Sequence, residues 1–180
     1  MGDVSDSDLV VQCLNGDSGA FDQLVLRYQL PMYRTALGIV GDPDAARDIT
    51  QNGLVKSWEK LDTYDSSHRF YSWLYRIIIN ESLNHIRSLR RMEPVPSTRQ
   101  DDQTPFQIMV DKEEHKRLHD AIARLHEDQR IVLHLRHFEE LSYQEIAEVL
   151  QIEEKKVKSR LFSARLKLRE LLVESREDHS

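Results

Sequence analysis

A run of basic residues near the end of the chain is the clearest chemical feature of the sequence. Between Lys155 and Arg169 there are seven basic side chains and no acidic one, although the 180-residue chain has a formal net charge of −6. Lysine and arginine at this density attract phosphate groups, and they also donate hydrogen bonds to base edges. The segment therefore indicates a nucleic-acid-binding surface. The alternative is a solvated basic face on an ordinary terminal helix.

The apolar residues of this segment recur at spacings of three and four, which predicts a helix with one buried stripe. The stripe consists of Val157, Leu161, Ala164, Leu168 and Leu171. At about 100° per residue, the other side chains point outward, towards bases, or flank the stripe, towards phosphates. We predict DNA contacts for Lys155, Lys156, Lys158, Ser159, Arg160, Ser163 and Lys167.

A second, shorter helix is predicted immediately before the basic one. Ser142 suits its N-cap, and Glu145 follows three residues later, which is the spacing of a capping box. Ala147 is small where the two helices would cross, and Ile152 in the turn should pack inward. The pair resembles a helix-turn-helix, whose second helix enters the major groove of DNA. This context favours DNA binding over a solvated face.

Aromatic and basic side chains are also interleaved between Phe70 and Arg91, in "FYSWLYRIIINESLNHIRSLRR". Rings can stack on unpaired bases while arginines hold the phosphates, a combination that suits single-stranded DNA. The alternative is that Trp73 and its apolar neighbours belong to the core. The residue types alone leave both interpretations open.

The remaining sequence predicts an all-α protein with two small helical domains joined by a flexible linker. Glycine is absent after Gly53, so hairpin turns would lack their usual residue, and helix-forming residues dominate. Residues 91–106 hold three of the five prolines and few large apolar groups, which predicts a linker at 92–111. We therefore expect domains at 1–91 and 112–180, the second containing the helix-turn-helix. The alternative is a long surface loop within one domain.

Capping residues predict where the helices begin. We expect Asp6 and Ser18 to cap the first two helices, and Gly41, Asp42 and Pro43 to form the turn into the third. Two helices then follow the linker, before the helix-turn-helix. The expected spans of the third to sixth helices are 44–61, 70–91, 112–124 and 128–137.

The composition also argues against other classes. Cys13 is the only cysteine, no apolar run approaches the roughly 20 residues that span a bilayer, and the acidic N-terminus does not resemble a signal peptide. We predict a cytoplasmic protein without membrane insertion. His115 with His119 and His134 with His137 lack an obvious third ligand, and no nucleophile motif or phosphate loop is present. We therefore predict no metal, no cofactor and no enzymatic activity.

Four stretches, taken in order, resemble the extracytoplasmic-function (ECF) sigma factors, which are initiation subunits of bacterial RNA polymerase. They are "GDSGAFDQLVLRY", "YRTALGIVGDPDAARDITQNGLVKSWEKLD", "FYSWLYRIIINESLNHIR" and "LSYQEIAEVLQIEEKKVKSRLFSARLKLRELL". The resemblance implies that the first domain grips the clamp helices of core polymerase and opens the −10 promoter element. It implies that the second domain reads the −35 element with the basic helix. Core RNA polymerase, promoter DNA and an anti-sigma factor are the partners it implies.

The resemblance also assigns residues to each contact. The polymerase contact would lie on the third helix, at Asp48, Gln51, Asn52, Lys56 and Trp58. The loop "DTYDSSHR" looks like one that captures a flipped base, and the −10 contact would use it with the fourth helix. The residues of that contact would be Asp65, Ser66, His68, Arg69, Trp73, Arg76, Asn80 and Arg87. Because the chain is acidic overall, we expect weak DNA binding without polymerase.

Several positions depart from the usual residues of the family. They are Arg47 for Glu, Asn84 for Asp, Gln151 for Gly, Glu153 for Ser, Lys156 for Thr and Ser163 for Arg. We expect Gln151 either to avoid a positive φ or to bear strain. Two other classes stay open: a helix-turn-helix regulator that acts without polymerase, and a sigma-like interaction protein with degraded DNA reading.

Overall fold

The computed structural model describes residues 4–92 and 112–177, with the side chains of residues 4–91 and 116–174. These ranges contain helices and no strand, which confirms the all-α prediction. The helices are α1 (Asp6–Leu14), α2 (Ser18–Val40), α3 (Pro43–Glu59), α4 (Phe70–Met92), α5 (Lys112–Ala123), α6 (Glu127–His137), α7 (Tyr143–Leu150) and α8 (Glu154–Glu177). None of them has the length and hydropathy that crossing a bilayer requires. Almost all of the predicted linker, 92–111, lies outside the described residues.

The N-cap of α1 is Ser5, so the prediction of Asp6 is wrong. The Ser5 hydroxyl accepts a hydrogen bond from the backbone N–H of Asp8 (3.2 Å). The Asp6 carboxylate is instead bound by Arg27 and Tyr28 of α2. Burial, together with this carboxylate, raises the pKa of Tyr28 above its usual range. Asp6 therefore ties α1 to α2.

The turn between α2 and α3 forms as predicted. Gly41 ends α2 with a φ of 73°, a left-handed conformation that glycine adopts without steric cost. The Asp42 carboxylate accepts a backbone hydrogen bond (2.8 Å) in the first turn of α3, where Pro43 occupies the first position. At the other end of α2, the N-cap is Asp17 rather than the predicted Ser18.

The first domain, α1 to α4, buries the apolar faces of its helices in one core. Met32 of α2 and Leu74 of α4 are almost fully buried, and the thiol-bearing Cys13 of α1 is also buried. Helices α3 and α4 approach closely at Gly53, where an added Cβ would lie 2.3 Å from Cδ1 of Ile78. This close packing holds α3 and α4 in a fixed relation to each other.

The second domain, α5 to α8, is built on the predicted apolar stripe of α8. Val157, Leu161, Ala164 and Leu171 are buried, and Leu168 is partly buried. Helices α5, α6 and α7 supply the surfaces on which this stripe packs. The stripe prediction is confirmed, and it determines which side chains of α8 face outward.

Helices α7 and α8 form the predicted helix-turn-helix. The Ser142 hydroxyl accepts from the N–H of Glu145 (3.2 Å), and the Glu145 carboxylate accepts from the N–H of Ser142 (2.7 Å), so the capping box is complete. Gln151 ends α7 with a φ of 52°, which costs a residue with a side chain about 1–2 kcal/mol. Of the two expectations for Gln151, strain is the one that holds. The N–H of Ile152 closes the turn on the carbonyl of Ala147 (3.1 Å).

The two domains pack directly against each other, which was not predicted from the sequence. Helix α6 lies against α2, α7 lies against α4, and buried residues of both domains form one apolar cluster. Gly38 of α2 permits the close approach, because an added Cβ would lie 2.3 Å from Nδ1 of the buried His134 on α6. Val132 and Leu135 of α6 are fully buried in the shared cluster.

Candidate nucleic-acid interface

The outer face of α8 carries most of the residues predicted to contact duplex DNA. Its exposed members are Lys155, Lys156, Lys158, Ser159, Ser163 and Lys167. Lys158 is paired with Glu154 (2.6 Å), and Lys167 is paired with Glu170 (3.1 Å). Exposed pairs of this kind are worth little and exchange readily for phosphate. We therefore expect the outer face of α8 to be available to a duplex.

Arg160 differs from the other predicted residues of α8. Its side chain is 22% exposed, and its Nη2 lies 2.6 Å from Oδ2 of Asp128, in the first turn of α6. The ion pair joins α8 to α6. It also neutralises part of the charge that we predicted for a phosphate contact.

Two apolar side chains on α8 were missed by an analysis based on charge. Phe162 is 71% exposed and Leu166 is 47% exposed. At about 100° per residue, Phe162 projects about 140° away from the buried Val157, towards the outer face. Apolar side chains in the major groove contact the methyl group of thymine. The helical phase of Phe162 was the signal that could have identified it.

The loop before α4 forms part of the second predicted surface. Its exposed side chains include Asp65, Ser66, His68 and Arg69. The backbone N–H of Ser67 donates to the Asp65 carboxylate (2.9 Å), which lowers the pKa of Asp65. The Tyr64 hydroxyl donates to the carbonyl of His68. These bonds hold the loop in a defined turn that presents its polar side chains.

Trp73 is half-buried at the start of α4. Its ring centroid lies 5.6 Å from that of Tyr64 and 5.6 Å from that of Phe70. The two contacts support the core interpretation for one side of the indole. The remaining side stays at the surface, beside the loop.

Arg69 and Tyr71, at the start of α4, are bound to Glu145 of α7. The Arg69 guanidinium and the Tyr71 hydroxyl both donate to Oε1 of Glu145, the hydroxyl at 2.7 Å. The Tyr71 hydroxyl and the backbone N–H of Ser142 lower the pKa of Glu145 to about 2. Glu145 therefore completes its own helix cap and binds the other domain at the same time.

Arg76 is bound to the C-terminal end of α7. Its guanidinium donates to the carbonyl of Glu148 (3.2 Å) and to that of Val149 (3.4 Å). Both carbonyls belong to the last turn of the helix, where the α-helical pattern supplies no donor. The Glu148 carbonyl also accepts from the backbone N–H of Gln151 (3.3 Å). His68 lies near the same end, with Nδ1 3.7 Å from Oε1 of Glu148.

A buried carboxylate forms a further contact between the domains. Glu139, which follows α6, has a side chain only 5% exposed, and the Tyr75 hydroxyl of α4 donates to its Oε2 (2.8 Å). Its Oε1 lies 3.5 Å from Nε2 of His134 and 3.7 Å from Nε of Arg34. Burial would raise the pKa of Glu139, but His134, Tyr75 and Arg34 outweigh it and hold the pKa below its usual range.

The last two predicted −10 residues, Asn80 and Arg87, lie further along α4. Both are exposed, and Arg87 lies 3.5 Å from the side-chain oxygen of Asn84. Asn80 lines a cavity of about 250 Å³ between the domains, together with Arg76 and Arg160. The cavity brings together side chains predicted for two different DNA elements.

The predicted polymerase contact lies on α3. Its exposed polar members are Asp48, Gln51 and Asn52, whose spacing places them on one face. Lys56 is paired with Glu81 of α4 (2.7 Å). Trp58 is 43% exposed and packs edge-on against Phe21, with centroids 4.9 Å apart. The face combines polar groups with an exposed aromatic ring, as protein interfaces do.

Two family models match the chain, in the order of the two domains. The model of Sigma-70 region 2 matches residues 24–92. The model of Sigma-70, region 4 matches residues 115–168. The first range includes the predicted polymerase and −10 contacts, and the second includes the helix-turn-helix.

Curated proteins similar to the chain are RNA polymerase sigma factors. The RNA polymerase sigma-H factor of Pseudomonas aeruginosa is 35% identical over 89% of this chain and 90% of the relative. The ECF RNA polymerase sigma-E factor of Haemophilus influenzae is 31% identical over 90% and 92%. That of Escherichia coli K12 is 30% identical over 90% and 91%.

Two solved structures match both domains together. CnrH in complex with the cytosolic domain of CnrY matches with a TM-score of 0.71 and 27% identity, over 93% of this chain and 96% of that one. The sigma factor RpoE in complex with the anti-sigma factor NepR, from Bartonella quintana, matches with a TM-score of 0.73 and 26% identity, over 84% and 96%.

Proposed function

The chain belongs to the ECF group of RNA polymerase sigma factors, and we propose that it directs core polymerase to promoters by reading −35 duplex and capturing −10 single strand. Its contribution is binding energy rather than covalent chemistry. It acts in the cytoplasm, where polymerase and promoters meet.

The outer face of α8 supports the assignment of −35 reading to the second domain. Lys155, Lys156 and Ser159 are exposed on the face opposite the buried stripe. These lysines and the serine can reach base edges there, and Phe162 can reach thymine methyl groups. The flanking Lys158 and Lys167 can reach phosphates. Insertion of α8 into the major groove brings these groups to the bases together.

The loop and the start of α4 support −10 capture by the first domain. Arg69 and Arg76 supply positive charge for the strand, and Trp73 supplies an aromatic surface beside them. A flipped base stacks on such a surface for about 1–3 kcal/mol. The ordered turn around Asp65 offers side chains that can select the base. Asn80 and Arg87 extend this strand-binding surface along α4.

The exposed face of α3 supports the contact with core polymerase. Asp48, Gln51 and Asn52 offer hydrogen bonds to a basic partner, and Trp58 offers apolar area. Arg47, where the family usually has Glu, forms a pair with Asp44 one turn earlier (2.7 Å). Its charge is therefore partly compensated within α3, and the acidic character of the face survives.

One observation carries the proposal: an exposed basic helix in a helix-turn-helix and a surface of arginines beside an indole occur in one chain, in the order of the two matched models. Either surface alone would fit another class of DNA-binding protein. An anti-sigma factor is a further proposed partner, because the two solved structures described above hold similar chains in complexes, one of them with a named anti-sigma factor.

Transcription with core polymerase tests the proposal. The purified chain is added to core polymerase of the same bacterium and genomic DNA, and transcript starts are mapped. We expect starts that share −35 and −10 sequences and that are absent with core polymerase alone. Lys155→Ala should reduce run-off from such a promoter at least about fivefold, at 1–3 kcal/mol per lost contact. Arg124→Ala removes the same charge from an exposed position just after α5 and should leave run-off unchanged.

The other two classes predict different results. A regulator that acts alone would bind specific duplex DNA without polymerase and would give no transcripts. An interaction protein with degraded DNA reading would co-elute with core polymerase and give no transcripts. Failure to co-elute with core polymerase would contradict both the sigma-factor proposal and this last alternative.

A further inference from the structure

A cavity of about 250 Å³ lies where α4, α6, α7 and α8 meet. At roughly 30 Å³ per water molecule, it has room for on the order of eight waters, or for an organic molecule of similar size. Asn80, which lines the cavity, is exposed, so the cavity has access from the surface of the protein. A small molecule in solution can therefore enter it.

Much of the cavity wall is aliphatic, and both domains contribute to it. The aliphatic side chains belong to α4, α6, α7 and the turn after α7, and they include Ile79, Leu83, Ile131, Leu150 and Ile152. Ile79 is 3% exposed and Ile131 is 2% exposed. Ligand pockets in proteins combine such apolar walls with a small number of polar groups. The wall thus favours a ligand with an apolar body.

The charged groups of the cavity favour an anion that carries a single charge. Arg76 and Arg160 are positive, and Asp128 is the one acidic residue among the described residues that line the cavity. Because Asp128 is paired with Arg160 (2.6 Å), one positive charge remains. Helix α6 begins and α7 ends at the cavity, so their dipoles largely offset each other. A carboxylate matches the remaining charge, whereas a phosphate monoester is close to dianionic at pH 7.

Both arginines keep hydrogen-bond donors for such an anion. A guanidinium carries N–H groups on each of its nitrogens. Arg76 uses Nε and Nη2 for carbonyls of α7, and Arg160 uses Nη2 for Asp128. Within the described part of the chain, Nη1 of neither arginine makes a hydrogen bond. The side-chain amide of Asn80 offers further N–H donors.

We propose that this cavity binds a small organic monoanion, a carboxylate with an apolar body of about five to ten carbon atoms. The carboxylate accepts hydrogen bonds from Arg76, Arg160 and Asn80, and the body packs against the aliphatic wall. The inference goes beyond the proposed function and does not rest on it, because this binding requires neither polymerase nor DNA. All three polar residues were also predicted as DNA contacts, so a bound carboxylate would compete with DNA for them.

The test titrates the full chain with benzoate and hexanoate, two carboxylates that differ in the shape of the apolar body. Isoleucine δ-methyl groups are observed by NMR, because Ile79, Ile131 and Ile152 report on three sides of the cavity. We expect these signals to shift with a Kd of about 1 mM or tighter for at least one of the two compounds. The signal of Ile49, on α3 and outside the cavity, should stay unchanged.

Two further compounds separate the contributions of the charge and the apolar body. Benzamide has the shape of benzoate without its charge, and acetate has the charge without the apolar body. Each should bind at least about tenfold more weakly than the better of the two carboxylates. Equal affinities for acetate and both larger carboxylates would indicate a general attraction of anions to basic side chains and would overturn the inference.

Charge substitutions at the cavity should change the affinity in opposite directions. Asn80→Asp places a negative charge beside the ligand and should weaken binding at least about fivefold, whereas Asp128→Asn removes one and should tighten binding at least about threefold. Asn84→Asp, one turn further along α4, and Asp120→Asn, on α5, are the matched controls. Both control positions are exposed and lie outside the cavity, so each Kd should change by less than about twofold.

Absence of a shift at the three cavity isoleucines with both carboxylates would overturn the inference, and so would equal Kd values for Asn80→Asp and Asn84→Asp. If circular dichroism shows that Asn80→Asp is unfolded, Arg160→Gln takes its place and should also weaken binding at least about fivefold. Transcription with core polymerase is a separate measurement. Its failure would contradict the sigma-factor proposal and leave the carboxylate site standing, whereas failure of the titration would have the reverse meaning.

Discussion

The two proposed DNA surfaces, the outer face of α8 and the start of α4, differ in accessibility although both follow from the same kind of sequence signal. Lys155 and Lys156 on α8 are exposed, whereas Arg69, just before α4, and Arg76 on α4 are bound to α7. Both regions contain several basic residues in the sequence. The difference shows that charge alone suggests a binding surface, while contacts elsewhere in the chain decide whether that surface is exposed.

The exposure of the outer face of α8 depends on the burial of the stripe on its opposite face, which Leu161→Ala would disrupt. Leu161 is 1% exposed, and truncation of a buried leucine costs about 2–5 kcal/mol. We expect urea denaturation to show a loss of that size. Leu166→Ala, at a position 47% exposed, should change the free energy of unfolding by less than about 0.5 kcal/mol. Equal losses in the two variants would mean that α8 packs on the rest of the domain through a different face.

The start of α4 is covered by α7 because the two domains pack together. This packing depends on the contact between Gly38 and His134, which Gly38→Ala would break. An added Cβ would overlap the buried imidazole, and overpacking costs about 1–3 kcal/mol. We expect α6 to move off α2, with a larger radius of gyration by small-angle scattering. Adding His134→Ala should remove the overlap and restore the smaller radius. An unchanged radius in Gly38→Ala alone would contradict direct contact of α2 with α6.

The turn that joins α7 to α8 affects both surfaces, and Gln151→Gly would relieve its positive φ. Relief of the positive φ should stabilise the protein by up to about 1 kcal/mol, because a gain of about 1–2 kcal/mol is offset by the greater freedom of glycine in the unfolded chain. Thermal unfolding measures the gain. Gln151→Ala keeps a Cβ at the same φ and should give no such gain. Equal behaviour of the two variants would argue against strain at this turn.

The smallest expected effect concerns the titration of Glu145. Its pKa of about 2 in the folded protein lies below the ordinary 4.5, so its contribution to stability is complete above the ordinary value and is lost as the pH falls towards 2. Carboxyl chemical shifts in NMR should report this titration. Tyr71→Phe removes the largest cause and should raise the pKa of Glu145. A wild-type value near 4.5 would mean that α7 does not rest on α4 in solution.

The helices and the helix-turn-helix were predictable because their determinants are local. Ser142 and Glu145 specify a helix start within four residues, and the spacing of Val157 and Leu161 specifies a face. The cap of α1 was not predictable in this way. Asp6 has the right chemistry for a cap, yet Arg27 of α2 binds it, and that contact depends on tertiary packing.

The packing of the two domains could not be predicted from the sequence, for a related reason. Gly38 and His134 are 96 positions apart in the sequence, and neither has a local pattern that points to the other. In the sequence, Arg160 likewise resembles an unpaired basic residue. In the fold, α6 places Asp128 beside it. The side chains of the proposed −10 surface were named from the sequence, but their contacts with α7 depend on the three-dimensional arrangement.

Burial of the lone thiol has a practical consequence for spectroscopy. Cys13 is 6% exposed, and burial, with the nearby Asp17 charge, raises its pKa, so little thiolate is available to an alkylating reagent. A cysteine engineered at an exposed position such as Ser66 or Ser159 would react with maleimide dyes far sooner than the native one. Donor and acceptor fluorophores can thus be attached without first deleting Cys13, and interdomain distances can be followed in single molecules while polymerase is added.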